Sequence, residues 1–457
     1  MPLPFPFEQF PPIRAVIGYG SAVFDQHGLQ DGGLSNRLLD FLFVVKDPEA
    51  WHRDNVASNG GDYSFISRFR SDRVAQFQRL GVSKVYFNTM VPLDDGRQYC
   101  KYGVVSEEDL REDIDTWSSL YVAGRLHKPF LCFSSSEQPM DDLEGLFERN
   151  RLAAVRAALL LHGPEVSVGQ LLQAICGLSY GGDIRVGIAE KPGKVKGIVS
   201  AQGLELLSLY LPLLRSALVL PPDTHISHPH PHHQHTMADT PHQHTEADPH
   251  ATEEETERSV PEGGEGGGKP KEPLDLQLRV EGPVGRDAMD KVAEVGRQVM
   301  KRRREVFPQD MKGPGRAGVS EVGLVLEDDA STGVTEDEVG EIVRSLLSDQ
   351  QTIHRSSEPE VDEGLFINLP ETLRFRANGI SASRRFNRIF NPFSLLDKRN
   401  YLRSLGSPLP WEAEVVSDSL RWIVRRSSMQ QSAKAALSAG LARFVMYGVR
   451  KMRRRLS

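Results

Sequence analysis

Residues 14–24 read RAVIGYGSAVF, and residues 38–45 read LLDFLFVV. The first stretch opens with a short apolar run that Gly20 breaks, and the second is apolar at every position except Asp40. Short apolar runs bounded by turn residues are typical of strands that are buried on both faces. We therefore predict two neighbouring buried strands, with a carboxylate inside the second.

Further strands and helices are predicted on the C-terminal side of this pair. The periodic segments are 63–80 for a helix, and 84–90, 98–105 and 129–134 for strands. Ser106 is followed by three acidic residues, which is typical of a helix N-cap, and this helix is expected to run to about Val122. Residues 5–140 are thus predicted to form an α/β domain.

The next part of the chain has a mostly helical pattern. Helices are predicted at 146–162, at 167–178 and from about residue 202, with strand-like segments at 184–189 and 195–199. Residues 364–430 also read as helical. We predict one mostly helical domain with a small β-wing from residues 141–220 and 364–430.

An insert at 221–363 separates these two helical parts. Nine of the 14 histidines of the chain lie between His225 and His250, and acidic and glycine-rich runs follow. Because so few apolar residues cannot offset chain entropy, the insert is predicted to be largely disordered, with one short helix at 287–306. The irregular histidine spacing favours a spacer over a metal site.

Charge is segregated along the chain. The formal net charge is 55 basic minus 62 acidic residues, or −7, which excludes a generally basic nucleic-acid coat protein. Residues 221–370 carry 15 basic and 31 acidic residues, a net of −16, whereas residues 371–457 carry 18 and 5, a net of +13. Three separated cysteines with no CxxC pair favour a reducing compartment. The first 25 residues read as neither a secretory signal nor an amphipathic presequence.

Residues 431–457 have the pattern of a basic amphipathic helix. Apolar residues fall at three- and four-residue steps: Ala433, Leu437, Leu441, Phe444, Val445, Gly448, Met452 and Leu456. The other face carries basic residues: Lys434, Arg443, Arg450, Lys451 and Arg453–Arg455. Such a helix is predicted to bind an anionic membrane surface. The alternative is a helix packed on the domain with a solvated basic tail.

The strand ends supply the strongest chemical motif. Nucleotidyltransferases of the polymerase-beta type place Gly-Ser at the end of one strand and acidic metal ligands on the next. Gly20 would let the backbone approach a triphosphate, Ser21 would bond a phosphate oxygen, and Asp40 would hold magnesium. Leu42 stands where a second acid is usual. The alternative is a loop glycine and a structural aspartate, although a carboxylate in a buried run must be paired, hydrogen-bonded or metal-bound.

Two basic clusters are candidate phosphate ligands. Lys101 lies on a predicted strand, and Arg125, His127 and Lys128 follow a predicted helix. The alternative for the latter is that cations at a helix C-terminus interact with the helix dipole. A third segment, 179–185, contains Asp183 and Arg185, and Lys191, Lys194 and Lys196 follow it. Taken alone, it is better explained as a hairpin approach with turn glycines and solvated lysines.

These motifs occur together, in one order, in a known family. The segments that carry the resemblance are FEQ (7–9), YGSAVF (19–24), LDFLFVV (39–45), DP (47–48) with WH (51–52), YS (63–64), KYGVVS (101–106), WSSLYVAGRLHKP (117–129), LSYGGDIR (178–185) and IVRRSSMQQSAKAALSAG (423–440). The chain resembles the mitochondrial phosphatidate cytidylyltransferases (CDP-diacylglycerol synthases), also called translocator assembly and maintenance proteins, over roughly 5–220 and 364–445.

The resemblance implies a polymerase-beta-like nucleotidyltransferase domain and a winged-helix-like domain, peripheral on the matrix face of the mitochondrial inner membrane. The implied reaction converts CTP and phosphatidic acid to CDP-diacylglycerol and diphosphate with Mg²⁺, feeding cardiolipin and phosphatidylglycerol synthesis, with no nucleic-acid partner. The implied site residues are Asp40, Lys101 and Asp183 as catalytic groups, Asp40 and Asp183 as metal ligands, and Gly20, Ser21, Arg125, His127, Lys128 and Arg185 as nucleotide and phosphate ligands. Asp183 is a hypothetical replacement for the carboxylate missing at Leu42.

Two rival hypotheses remain open from the sequence. The first is a nucleotidyltransferase with a soluble acceptor such as tRNA or a sugar phosphate. The second is a membrane-associated assembly factor that keeps the fold without turning over CTP. Activity that ignores anionic liposomes would favour the first, and an absence of CTP turnover would favour the second.

Overall fold

A computed structural model of the chain describes residues 7–24, 38–63, 71–93, 98–186, 193–216, 279–310, 335–355, 357, 359–389 and 413–439. By its contacts the chain divides into two units, 1–218 with 276–457, and 219–275. All the described residues belong to the first unit. A domain boundary near residue 140 stays a prediction.

A five-stranded mixed sheet forms the centre of this unit. Its strands are β1 (Ala15–Tyr19), β2 (Leu38–Val45), β3 (Tyr86–Leu93), β4 (Gln98–Ser106) and β5 (Phe130–Ser134). The strand order is β3-β4-β2-β1-β5, with β2 and β4 parallel and the other pairs antiparallel. The register places Tyr19 opposite Asp40 and Asp40 opposite Lys101. Because directly paired residues share a face, these three side chains lie on one side of the sheet.

The strand β2 has the burial that its sequence predicts. Every residue of β2 is buried except Asp40, which is partly exposed. Alternate side chains, among them Phe41 and Phe43, join a core that contains Trp51 and Tyr102. The predicted buried strand is therefore confirmed, and the α/β class with it.

Twelve helices are described, and their bounds follow. They are α1 (Pro48–Asn59), α2 (Ser71–Arg79), α3 (Glu107–Thr116), α4 (Leu143–Leu161), α5 (Val168–Gly177), α6 (Lys194–Ala201), α7 (Gly203–Ser216), α8 (Arg286–Asp310), α9 (Glu336–Leu347), α10 (Pro359–Ile367), α11 (Glu371–Ile389) and α12 (Ala413–Ala439). The predicted N-cap at Ser106 is confirmed, since its side chain accepts a hydrogen bond from the first turn of α3, and Ser167 caps α5 in the same way. Helix α1 was not predicted, although Asp47 caps it and Pro48 opens it.

A second sheet has three short antiparallel strands. They are β6 (Glu165–Ser167), β7 (Arg279–Glu281) and β8 (Thr352–His354), in the order β6-β8-β7. Of the predicted strand at 184–189, residues 184–185 form a turn, Val186 makes an isolated β-bridge, and residues 187–192 lie outside the described part. The strand predicted at 195–199 is wrong, because these residues belong to α6. The small sheet therefore draws two of its three strands from the insert.

Parts of the insert, among them 279–310 and 335–355, form helices and strands, and the disorder of the insert as a whole stays a prediction. The short helix expected at 287–306 is confirmed and is longer, as α8, and α9 lies within the same insert. Phe307 on α8 is fully buried, with its ring 6.3 Å from that of Phe41 and 6.2 Å from that of Phe133. Few apolar residues suffice here because they lie on one helix face and meet an existing core. Residues 221–278 and 311–334, with the histidine run, lie outside the described part.

Replacing Phe307 by alanine is expected to destabilise the protein by about 3–5 kcal/mol, because a buried aromatic ring is removed and a cavity remains. The matched control is Phe375→Ala, since Phe375 is 79% exposed and its loss should change stability by less than about 0.5 kcal/mol. Urea unfolding measures both. Equal midpoints for the two variants would show that the insert helix does not support the core.

The C-terminal helix also differs from its prediction. Helix α12 extends to Ala439, and Lys434 is only 6% exposed. Its Nζ donates to the carbonyl oxygens of Gln78 at 2.7 Å and Leu80 at 2.9 Å. Lys434 therefore binds the C-terminal end of α2 and does not belong to a lipid-facing basic face. Residues 440–457 of the predicted amphipathic helix lie outside the described part.

Length and apolar composition decide whether any of the described helices could cross a bilayer. No single one of them is both long and apolar enough to cross a bilayer. Helices α6 and α7 reach the required length and composition only as a pair, bent by 84°.

Candidate active site

A cavity of about 260 Å³ lies above the sheet where β1, β2 and β4 bring their polar side chains together. Loops 117–129 and 179–185 and helices α6 and α12 form its other walls. Eight of the nine predicted site residues line it: Gly20, Ser21, Asp40, Lys101, Arg125, Lys128, Asp183 and Arg185. The predicted residues that are far apart in sequence are thus brought to one place.

The floor of the cavity is set by the sheet register. Lys101 Nζ lies 3.8 Å from Asp40 Oδ1 and 4.2 Å from the centre of the Phe87 ring. Burial lowers the pKa of Lys101, and the negative charge of Asp40 opposes that change. The carboxylate of Asp40 is 28% exposed, so it faces the cavity with one oxygen close to a cation.

Gly20 closes β1 in a conformation that favours glycine. Its φ is +87°, and a Cβ at this position would lie 3.4 Å from Asp40 Oδ2. A side chain here would therefore be strained and would crowd the carboxylate. The glycine leaves the backbone open beside Asp40, which is what the approach of a phosphate group requires.

The loop 117–129 is organised by Asp113, which is buried near the end of α3. Its Oδ1 accepts from the backbone N–H groups of Ser119 and Leu120, both at 2.8 Å, and from the Ser119 hydroxyl at 2.7 Å. Its Oδ2 accepts from the N–H groups of Val122 at 2.8 Å and Ala123 at 3.0 Å. Five hydrogen bonds to one carboxylate fix the turn that presents Tyr121, Arg125 and Lys128.

The predicted extent of α3 to Val122 is wrong for the same reason. The helix ends at Thr116, and Trp117 takes a left-handed conformation with φ of 53°. The N–H groups that would continue the helix bond instead to Asp113. A side chain that competes with helical carbonyls for backbone donors ends a helix.

Arginine and tyrosine side chains make one wall strongly positive. The Arg125 guanidinium lies 3.7 Å from the centre of the Tyr121 ring and 5.8 Å from that of Tyr19. Burial by itself would raise the pKa of the Tyr121 phenol, but the charges of Arg125, Arg185 and Lys101 outweigh it and lower that pKa. Such a positive field attracts anionic ligands.

Lys128 joins loops 117–129 and 179–185. Its Nζ donates to the carbonyl oxygen of Gly124 at 2.5 Å and to the hydroxyl of Ser179 at 2.9 Å. A Cβ on Gly124 would lie 2.4 Å from the Cβ of Ser179, so the two loops touch at this glycine. Burial lowers the pKa of Lys128 to about 8.

Asp183 and Arg185 form a close pair in the second loop. Arg185 donates from Nε to Asp183 Oδ1 at 3.0 Å and from a terminal nitrogen to Oδ2 at 2.5 Å. Burial raises the pKa of Asp183, but these hydrogen bonds and the charge of Arg185 outweigh it and lower that pKa. Gly182, with φ of +84°, lets the loop lie against the backbone of Arg421 on α12.

His127 does not line the cavity, which corrects its prediction as a ligand. Its side chain is fully buried, with Nε2 3.2 Å from Asn150 Oδ1 and its ring 5.3 Å from that of Trp117. Burial lowers its pKa to about 3, so the ring is neutral. In the tight turn at 125–128, Arg125 and Lys128 are partly exposed while Leu126 and His127 are buried, a pattern that could not be inferred without the turn geometry.

Several cavity residues were given no role by the sequence. Among them are Tyr19, Tyr121, Ser179, Tyr180, Lys194, Gln202, Val424, Ser427 and Ser428. Those from α12 lie more than 200 residues away in sequence from the second loop. The motifs SYGG and RRSSMQ contain four of them, but nothing in their composition indicates that they meet.

The donor set of the cavity suits one magnesium ion held partly by substrate. Mg²⁺ is usually bound by one or two carboxylates together with phosphate oxygens and water. Asp40 fits this role, since it is partly exposed beside an open glycine. Both oxygens of Asp183 already accept from Arg185. Within the described residues, no group of three or more His, Cys, Asp or Glu side chains could hold a metal without substrate.

Comparisons with known proteins point to one family. The family model described as mitochondrial phosphatidate cytidylyltransferase matches residues 6–263, which is more than half of the chain. Curated proteins of that name are 39% identical over 202 residues in Xenopus laevis, 37% over 204 residues in Schizosaccharomyces pombe and 37% over 197 residues in Homo sapiens.

The matched regions cover parts of each protein. They amount to 44%, 44% and 43% of this chain, and to 59%, 50% and 42% of the respective relatives. The chain thus spans about two fifths to three fifths of the length of these curated relatives. Every residue that lines the cavity from loops 117–129 and 179–185 lies inside the part matched by the family model.

Proposed function

The chain belongs to the mitochondrial phosphatidate cytidylyltransferase family, and we propose that it joins CTP and phosphatidic acid to give CDP-diacylglycerol and diphosphate. The observation that carries the proposal is the cavity, where Asp40 and Lys101 are aligned by the sheet register and four further cations line the walls. These are Arg125, Lys128, Arg185 and Lys194. A site with one open carboxylate and five basic side chains suits a metal-bound triphosphate and a second phosphate.

We assign the nucleotide to the sheet side of the cavity. Gly20 and Ser21 would bond triphosphate oxygens, as in polymerase-beta-like nucleotidyltransferases, a fold that the mixed sheet is compatible with. Asp40 would hold Mg²⁺, which when bound offsets negative charge on the attacked phosphate. Lys101 and Arg125 would bind oxygens whose charge grows as the P–O bond to diphosphate breaks.

The acceptor needs no strong base. The phosphate of phosphatidic acid is already ionised near neutral pH, and one of its oxygens attacks the α-phosphorus of CTP while diphosphate leaves. Lys128 and Arg185 would position this acceptor, and Asp183 would orient Arg185 through their paired hydrogen bonds. Asp183 could serve as a second metal ligand only if Arg185 released it.

We also propose where the enzyme works. The relatives are named as mitochondrial, and the matrix face of the inner membrane is the expected location, with product feeding cardiolipin and phosphatidylglycerol synthesis. A winged-helix-like arrangement is proposed for the helices that follow the sheet. The basic residues of 440–457 are proposed to bind an anionic membrane surface, since α12 up to Ala439 packs on the protein.

The test uses radiolabelled CTP with phosphatidic acid in detergent micelles, with and without Mg²⁺. We expect a lipid-soluble labelled product only when both phosphatidic acid and Mg²⁺ are present. Label that stays in water-soluble products, with or without anionic liposomes, would indicate a soluble acceptor. No consumption of CTP under any of these conditions would indicate an assembly factor without this activity.

A further inference from the structure

A second cavity, of about 520 Å³, adjoins the first on the side away from the sheet. It lies along α5 and the start of α6, and its walls include Ala174, Val186 and Val195. We call it the α5–α6 groove. Val186 is 47% exposed, so an apolar side chain of the groove remains open to an occupant. Exposed apolar surface inside a groove indicates a binding site.

The α5–α6 groove is continuous with the active-site cavity. Tyr180 and Lys194 line both. The Tyr180 ring has Lys128 Nζ 5.1 Å and Lys194 Nζ 5.6 Å from its centre. Two ammonium groups therefore converge at the junction, and Lys196 adds a third cation within the groove.

This layout matches a molecule with an anionic phosphate and an apolar chain. The phosphate would bind at the junction, between Lys128 and Lys194, where it can also reach the active-site cavity. The apolar chain would then extend along Ala174, Val186 and Val195. A nucleotide or sugar phosphate would leave this apolar stretch uncovered, whereas an acyl chain would bury it.

We propose that the α5–α6 groove binds an acyl chain of the lipid substrate, with Tyr180 and Lys194 marking the point where the phosphate enters the active site. This inference rests on the proposed function, because it assigns the binding site of the lipid substrate in the same reaction.

The proposal predicts chain-length selectivity in short phosphatidates that do not require a membrane. Each methylene group buried in the groove should improve kcat/KM by about fourfold, the value that corresponds to the free energy of burying one CH₂. Dihexanoyl phosphatidate should therefore be used at least about tenfold better than dibutanoyl phosphatidate. Substitutions that fill or charge the groove should remove this ratio while leaving the KM for CTP unchanged.

The variants are Ala174→Trp, which fills the groove, and Val186→Asp, which places a carboxylate at an exposed position of its wall. The matched control is Ser200→Trp, since Ser200 is exposed on α6 and lines neither cavity. Thermal unfolding identifies any variant that fails to fold. If Ala174→Trp fails to fold, Val186→Asp still tests the proposal. The proposal is overturned if the folded groove variants keep the wild-type chain-length ratio, or if Ser200→Trp loses it equally.

Binding without turnover separates this proposal from the proposed function. A pyrene-labelled phosphatidate is titrated against the wild-type protein, Val186→Asp and Ser200→Trp, with pyrene emission as the readout. We expect at least tenfold weaker binding for Val186→Asp alone. If Val186→Asp weakens phosphatidate binding but the protein does not consume CTP, the proposed reaction is overturned and the lipid site in the groove stands. If the protein turns over CTP and the Val186→Asp substitution leaves phosphatidate binding unchanged, the proposed reaction stands and the lipid site in the groove is overturned.

Discussion

The Asp40→Asn variant is expected to lose at least about a thousandfold in the rate of CDP-diacylglycerol formation. An amide is a poor magnesium ligand, and a bound metal contributes several kcal/mol of charge stabilisation in phosphoryl transfer, where about 1.4 kcal/mol corresponds to a factor of ten. The same change removes the negative charge next to Lys101. Both effects weaken the binding of the triphosphate in the geometry that reacts.

Folding should survive this substitution. Asp40 is the one residue of β2 that is not buried, and asparagine has nearly the same shape. The ion pair with Lys101 is long, at 3.8 Å, and the Asp40 carboxylate is partly exposed, so its loss should leave the fold intact. The removal of Asp40 should lower the pKa of Lys101 further, because Asp40 is the first of the charges that oppose the effect of burial.

The measurement is turnover of CTP with phosphatidic acid at saturating Mg²⁺, beside a urea unfolding curve for each protein. The matched control is Asp54→Asn, because Asp54 is exposed on α1 and pairs only with its neighbour Arg53 among the described contacts. Asp54→Asn should keep both rate and stability. An Asp40→Asn enzyme with wild-type turnover would show that the metal and the triphosphate bind elsewhere.

The sequence predicts the strands of this site well and their pairing poorly. The run LLDFLFVV sets the bounds of β2 and the position of Asp40, because a short apolar run of this length is typical of a buried strand. That Asp40 lies beside Lys101 follows from the parallel pairing of β2 with β4, which are separated by some sixty residues. No local pattern fixes such a register, since it depends on the helices that connect the strands.

Composition misleads where a few residues act at long range. The insert is acidic and poor in apolar residues, yet Phe307 completes the core and Arg303 forms a buried ion pair with Glu205 at 3.1 Å. In the sequence Lys434 belongs to a basic helix face, but in the structure it donates to the carbonyl oxygens of Gln78 and Leu80. The average polarity of a segment predicts whether most of its residues are exposed to solvent. The contacts described above are made by the few residues that differ from that average.

Asp113 is the clearest residue whose importance only the structure reveals. In sequence it is one of several acids in α3 and reads as part of a solvated helix. In the structure it is buried and accepts five hydrogen bonds, four of them from backbone N–H groups of loop 117–129. We therefore expect Asp113→Asn to be much more damaging than its small change in size suggests.

The Asp113→Asn variant should be destabilised by about 3–5 kcal/mol. The NH₂ group of an asparagine at this position would face backbone N–H groups that need an acceptor. Each hydrogen bond to a charged group contributes about 1.5–3 kcal/mol, and those to the replaced oxygen would be lost. At temperatures where the variant stays folded, kcat/KM should fall at least tenfold, because Arg125 and Lys128 would no longer be held in place. The matched control is Asp115→Asn, since Asp115 lies two residues away on α3 with its side chain 45% exposed. Urea unfolding and CTP turnover measure both variants, and similar values for the two would show that the Asp113 carboxylate does not organise the loop.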